Sequence, residues 1–373
     1  MMVTNYMGQG MRRDLALSIC AISKHQFYYQ PKGGSKSGRT PSTQTLRGDS
    51  LVSNTEVIEL IKEIQSHEDT HYGYRKMCYQ LMLLGFIIHH KKVYRLMKET
   101  CLLQEKSKAG SEKKYVQYRT VRPERPLHVL EMDIKMVWLV EHRRHAYILN
   151  VLDTFTRTVL YWSVGYEMKQ AQVMQAWERI IIEYLQPHDL IREELHVELR
   201  NDNGPPFSAH AVKEFLRENH IHQTFTHPYT PEENGHVERF HNILKKALGK
   251  HAFWSLEELE NRLERFYQTY NERRIHAFTA NLAPKLFWKC WEEGLIEKTV
   301  LEKKKVRFKL RVPYQQLSGF ESLKEVLCVD FVALDGLQNQ KKRHHTTNKK
   351  QPDETKGNAR PQHSIQLSVF DHH

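Results

Sequence analysis

The sequence predicts an α/β chain in which a mixed-sheet core follows a helical, helix-turn-helix-like module. Three observations predict it. Segments of strand length rich in Val, Ile, Leu and aromatics recur through 128–165, and helices and strands alternate from there to about 250. Upstream, residues 55–103 carry apolar side chains at helical spacing and end on a basic stretch.

Of the 373 residues, 40% are hydrophobic and 10% aromatic, enough for a folded core and two or three domains. Lys and Arg number 56 against 44 Asp and Glu, a net charge of +12, which favours a polyanionic partner such as nucleic acid. Apolar runs stay far below the ~18 residues a membrane span needs, and the N-terminus lacks a signal-peptide stretch. No membrane association is expected, and the expected location is the cytoplasm, on the nucleoid. Five cysteines at 20, 78, 101, 290 and 328 include no C-x-x-C pair, as expected of reduced thiols.

In chain order, residues 1–30 read as a short helix-turn-helix-like segment and the Gly/Ser/Thr/Pro-rich 31–53 as a linker. Residues 54–105 form a helical DNA-binding module. Val57, Leu60, Ile61 and Ile64 mark the first helix face, Met77, Leu81 and Leu84 the second before Gly85, and 91–98 a basic third helix. Its recognition helix would enter the major groove, with Arg75, Lys76, Lys91, Lys92, Arg95 and Lys98 on phosphates. A basic linker follows at 106–126, closed by Arg122-Pro-Glu-Arg-Pro126. The core, 127–290, begins with an antiparallel meander of 128–139, 145–152 and 157–165, then a helix (168–185), a strand (195–199), a helix (209–218), a strand (221–225) and a long helix ending near Lys250. That order is the one of an RNase H-like domain. Residues 291–337 are a C-terminal extension, and the basic 338–373 lacks apolar periodicity, as a disordered tail does.

Three acids stand out by their surroundings. Asp133 lies in the first core strand, in Leu130-Glu-Met-Asp-Ile-Lys135. Asp202 directly follows the fourth, in Asn201-Asp-Asn-Gly-Pro-Pro-Phe207, where Asn-Gly and Pro-Pro turn the chain. Glu238 lies on the last helix, with Lys245 seven residues on and so on the same side, and Lys246 beside it as a further phosphate contact. Thr230-Pro-Glu-Glu233 has the form of a capping box, although Gly235 would let regular helix begin there instead. A surface carboxylate is the default reading of any one Asp.

The motifs together make the case. Met132-Asp-Ile134, Val151–Gly165, Asn201–Phe207 and the run from Pro228 to Lys246, preceded by the helical module, resemble the bacterial insertion-sequence DDE transposases of the OrfB type, whose core is shared with retroviral integrases. The resemblance spans roughly 11–290. Two positions depart from it: Leu130 stands where relatives carry Trp, and Lys135 where they carry Thr. It implies a DNA transposase that binds terminal inverted repeats, cleaves there and joins the ends to target DNA. Asp133, Asp202 and Glu238 would be catalytic and hold two Mg²⁺ ions, with Mn²⁺ substituting, Asp133 bridging both, and Lys245 would contact a phosphate near the reacting bond. Phosphoryl transfer suits such a set, since metal-held oxygens need few carboxylates. Implied partners are double-stranded DNA, further copies of the chain on that DNA, and an upstream OrfA-like protein. The alternatives are a retired, DNA-binding derivative and another RNase H-like nuclease.

Other signals are set aside. His67-x-x-x-His71 has zinc-like spacing without a C-x-x-C partner, and the histidines from His220 to His241 receive no metal role. Asp153 reads as a turn carboxylate. Glu131, Glu232 and Glu233 are the nearest decoys for the metal ligands, Glu131 by sharing a sheet face with Asp133. The stretch Tyr270–His276 either packs on the core or touches the element end.

Overall fold

The computed structural model describes residues 2–28, 41–104, 121–192, 195–227, 231–249, 251–301, 306–320 and 323. Most of the basic linker, the first part of the 31–53 segment, the tail from 338 and the Thr230 cap lie outside the described residues.

Three short helices, α1 (Met2–Gly8), α2 (Arg13–Ile19) and α3 (Lys24–Tyr28), open the chain around Val3, Ala16 and Leu17. Residues 44–53, expected within a linker, instead pair as a hairpin of β1 (Gln44–Arg47) and β2 (Ser50–Ser53). With only Leu46, Leu51 and Val52 apolar among mostly polar residues, the segment gives no strand period in the sequence. The helical module is as expected: α4 (Asn54–Ser66), α5 (Tyr74–Leu83), then a two-residue strand β3 (Phe86–Ile87) and α6 (His90–Glu99). Ser53 caps α4 by accepting the Glu56 N–H, and Gly85, at φ +87°, makes the left-handed turn after α5. Val57, Ile61, Met77, Leu81, Val93 and Leu96 close its core.

The core region contains β4 (Val129–Leu139), β5 (Arg144–Asp153), β6 (Val159–Gly165), α7 (Gln170–Ile180, continued by a π turn to Leu185), β7 (Val197–Asn201), the short α8 (Pro205–Ser208), α9 (His210–Glu218), β8 (Ile221–Phe225) and α10 (Gly235–Leu248). The five strands lie in the order β6-β5-β4-β7-β8, antiparallel through the meander and parallel across β4-β7-β8. This is the RNase H-like arrangement. The two-residue period divides β4 cleanly. Leu130 and Met132 pack with Val173, Trp177 and Ile180 of α7 and Val212 and Leu216 of α9. Leu139 of the opposite face packs with Val237, Phe240 and Leu244 of α10 and Leu263 and Phe266 of α11 (Leu256–Glu272). Asp133 belongs to this second face.

Beyond the core, α12 (Pro284–Glu292) and a hairpin of β9 (Ile296–Val300) and β10 (Val306–Leu310) enclose Phe155, Phe287 and Phe308. The described strands of this hairpin pack against the turn between β5 and β6 through Phe155.

The helical module is docked on the core. Asp69 receives both terminal nitrogens of Arg262 from α11, at 2.8 and 3.0 Å, and both side chains are buried. Tyr72 donates its hydroxyl to the Arg273 carbonyl and accepts the Ile275 N–H, while Ile275 itself fills the module's core. The Tyr270–His276 stretch therefore packs inside the protein.

Candidate active site

The parallel register sets the first two acids side by side. Glu131 of β4 pairs with Arg200 of β7, so two residues further along each chain stand Asp133 and Asp202, on neighbouring strand paths. Asp202 lies just past β7, where Asn201 is held by Gln223 and by the Thr226 N–H. Its Oδ1 accepts the Gly204 N–H at 3.0 Å, an Asx turn that fixes the carboxylate at the strand end. A Cβ on Gly204 would stand 3.0 Å from that same oxygen, so only glycine fits this turn without pushing the carboxylate.

Glu238 is brought in by a device that sequence reasoning treated as a decoy. Glu131 is fully buried, and its carboxylate accepts the N–H groups of His236 at 2.9 Å and Val237 at 2.7 Å and meets His236 Nδ1 at 2.6 Å. A strand carboxylate thus caps the first turn of α10, where helix N–H groups have no partners within the helix. Asn234, preceding α10, also reaches the Met132 carbonyl. Both ties hold the start of α10 over β4, with Glu238 three residues after its first residue. Regular helix begins at Gly235, after a 3₁₀ turn at Pro231–Asn234.

One turn further, His241 meets Asp133, Nδ1 to Oδ2 at 3.2 Å. Residues three apart on a helix share a face, so Glu238 lies on the side of α10 that looks at Asp133. Asp133 lies within β4, Asp202 just past β7 and Glu238 in the first turn of α10. Among the described residues, no three His, Cys, Asp or Glu side chains already stand close enough to hold one ion. The donor set nonetheless suits a hard divalent cation: all oxygen, carried by separate elements, with Asp133 and Asp202 partly open to solvent. Lys245 and Lys246 are exposed on α10.

The remaining acids have structural roles. Asp153 is buried and accepts the N–H groups of Leu127, Phe155 and Thr156 and the Thr156 hydroxyl, fixing the β5–β6 turn. Burial raises its pKa against the pull of these bonds. Glu233, also buried, holds the N–H and ring of His227.

Candidate phosphate contacts divide three ways. Arg75, Lys91 and Lys98 are exposed on the helical module. Lys92 donates to the Ser42 hydroxyl and Gln44 carbonyl, and Arg95 to the Ser42 carbonyl, so both bind the strap ahead of β1. Lys76 turns inward to the Ile275 carbonyl at 2.8 Å, and burial, with Arg274 nearby, lowers its pKa to about 8. Its amine ties module to core. An i+1 neighbour of an exposed Arg gives no sequence signal of this inward turn. Sequence reasoning also passed over Asn150, His241 and Tyr267, which form a buried polar chain behind Asp133. The available signal was His241 at i+3 from Glu238.

Comparison with known proteins agrees with this layout. Residues 123–231 and 219–284 match two models described as integrase core domain, and 53–108 match an HTH-like domain. The chain is 26% identical to the putative transposase InsK for insertion sequence element IS150 of Escherichia coli K12, covering 76% of this chain and 96% of that protein. It is 24% identical to an uncharacterized 39.2 kDa protein of insertion element IS476 from Xanthomonas euvesicatoria, over 73% of this chain and 71% of that one. Among solved structures, a chain of the simian T-cell lymphotropic virus intasome is similar at 16% identity and a TM-score of 0.38, covering 62% of this chain and 74% of that one.

Proposed function

We propose, from the premise that this chain is an insertion-sequence DDE transposase with an integrase-like core, that it binds the terminal inverted repeats of its element, cleaves at the element end and joins the freed 3′-hydroxyl to target DNA. The single observation that supports this most is the tie of the start of α10 to β4 by Glu131, on the strand that carries Asp133 two residues further on. In this reading Asp133, Asp202 and Glu238 would hold two Mg²⁺ ions, or Mn²⁺ in their place. When bound, the ions would activate the attacking oxygen and stabilise the leaving one. The protein's own part is to position: the Asx turn aims Asp202, Glu131 sets the height of Glu238, and Lys245 contacts a phosphate next to the scissile bond.

Exposed Arg75, Lys91, Lys98 and Lys246 would supply salt-dependent phosphate contacts. Because one end must be held while another is joined, the working form would be a homo-oligomer on DNA, with an OrfA-like partner as a further component. Among the described residues no helix is long and apolar enough to cross a membrane, and the proposed place of action is the cytoplasm, on the nucleoid. The test is incubation of the protein with a labelled duplex carrying the element's end. Mg²⁺-dependent release and joining of that end supports the reading. Binding without chemistry in Mg²⁺ or Mn²⁺ would favour a retired derivative, and cleavage of RNA–DNA hybrid alone another nuclease.

Two smaller predictions arise here. Gly204→Ala should slow strand transfer by about 10- to 100-fold, the scale of a small misplacement of a reacting group, with little change in melting temperature. Lys245→Ala should lower transfer about 10-fold at unchanged end binding, since the loss of one charged phosphate contact near the reaction is worth roughly 1.5–3 kcal/mol at most. Gel-shift and joining assays on the same preparation separate the two effects.

A further inference from the structure

A chain of buried polar groups runs from α11 through β5 and α10 to Asp133. Tyr267, Asn150 and His241 are each less than one-tenth exposed. The Tyr267 hydroxyl donates to Asn150 Oδ1. Asn150 Nδ2 lies 3.3 Å from the Ile148 carbonyl and 2.9 Å from His241 Nε2, and His241 Nδ1 lies 3.2 Å from Asp133 Oδ2. Asn150 is also the cross-strand partner of Asp133, and Trp162 stacks on Tyr267 at 4.6 Å, so neither end can shift alone.

The order of donors is forced. The Ile148 carbonyl can only accept, so it holds the Asn150 amide nitrogen on its side, and burial keeps the Tyr267 phenol protonated and able to donate. Its acceptor is therefore the amide oxygen, which turns the amide nitrogen toward His241. An NH₂ group has no lone pair to offer, so Nε2 must accept, and the ring proton resides on Nδ1, aimed at Asp133. A hydroxyl on α11 thereby selects which ring nitrogen faces a carboxylate on β4. We infer that Tyr267, Asn150 and His241 form a positioning relay that holds the Asp133 carboxylate in the orientation needed to receive divalent metal. This rests on the reading of Asp133 as a metal ligand. His241 is a positioning residue within it, because it reaches the ion only through Asp133.

Partners of this kind, when removed, typically cost about 10- to 100-fold in metal affinity. The experiment measures Mn²⁺ binding to the full-length protein without DNA, by the loss of the free-ion electron paramagnetic resonance signal. Melting temperature and far-ultraviolet circular dichroism are recorded for each variant. His241→Leu should raise the Mn²⁺ midpoint about 10- to 100-fold. His241→Asn should recover most of that loss, because its amide nitrogen occupies nearly the place of Nδ1 and can donate to Asp133. Tyr267→Phe should weaken binding in the same direction although it touches neither Asp133 nor metal. Without the hydroxyl the Asn150 amide can reverse, which moves the ring proton to Nε2 and leaves Nδ1 as an acceptor facing a carboxylate.

That ordering, in variants that remain folded, supports the relay. Equal losses in His241→Leu and His241→Asn, or a wild-type midpoint in Tyr267→Phe and His241→Leu, overturn it. Asp133→Asn is the control: if it abolishes Mn²⁺ binding while the relay variants bind normally, the relay alone fails. If Asp133→Asn binds Mn²⁺ like wild type, the metal reading beneath it fails as well.

Discussion

Asp133→Asn, Asp202→Asn and Glu238→Gln are each expected to lower strand transfer by about 10³-fold or more while leaving binding of the element end nearly unchanged. The reason lies in where the charges sit. Each substitution keeps the size of the side chain and removes one negative oxygen from the set proposed to hold the cations. Metal stabilisation of the entering and leaving oxygens is worth several kcal/mol, and about 4 kcal/mol corresponds to about 10³-fold. In the proposed reading end binding is carried by the helical module and exposed cations rather than by the three acids, so a gel shift should barely respond. Glu131→Gln should behave differently. It would weaken the capping of α10, where its buried carboxylate accepts two backbone N–H groups, and lower the melting temperature together with activity. The contrast separates a ligand from a support: activity lost at constant stability marks the former, and both lost together mark the latter. Equal stability losses in all four variants would contradict the assignment.

The second large effect concerns the joint between module and core. Asp69→Ala is expected to destabilise the protein by about 3–5 kcal/mol, the usual cost of leaving a buried charge without its partner. Arg262 reaches Asp69 with two nitrogens, contacts Glu68 through Nε at 3.1 Å, and donates to the Ala247 carbonyl at the end of α10. Removing Asp69 takes away the buried counter-charge of a guanidinium less than one-tenth exposed and leaves it only Glu68, whose carboxylate stands mostly in solvent. Replacing both partners, Asp69→Leu with Arg262→Met, should recover much of the loss, since an apolar pair of similar volume avoids the desolvation cost. Urea denaturation of the two single variants and the double variant reads this directly. Additive losses would mean that the pair does not couple module to core. The functional consequence follows from the same contacts. Arg262 touches the end of α10 and Asp69 belongs to the DNA-binding module, so the module sits at a fixed offset from Glu238 rather than at the end of a tether.

Much of the fold was legible in the sequence because strongly apolar strands and amphipathic helices announce themselves by period. All five core strands, α7, α9, α10 and the three module helices appear within a few residues of their expected bounds. The 44–53 hairpin was hidden by its polar composition and α11 by a dense charge pattern, Glu257 to Arg265, that masks its buried stripe of Leu259, Leu263, Phe266 and Tyr270. The acids at 133, 202 and 238 were singled out through their neighbours. What supports them was not. Glu131 capping α10, Tyr72 bridging to Arg273 and Ile275, and the Tyr267–Asn150–His241 chain all join residues about 90 or more positions apart. No local period encodes such pairs. Lys76 shows the same point from the other side: its type suits a phosphate, yet its ammonium is turned to the Ile275 carbonyl.

The most direct measurement of the central claim is anomalous diffraction from Mn²⁺ in crystals of the protein bound to an element-end duplex. The account predicts manganese peaks ligated by carboxylate oxygens of Asp133, Asp202 and Glu238, next to the scissile phosphate. Manganese bound elsewhere, with these three side chains turned away from it in the DNA complex, would contradict the account.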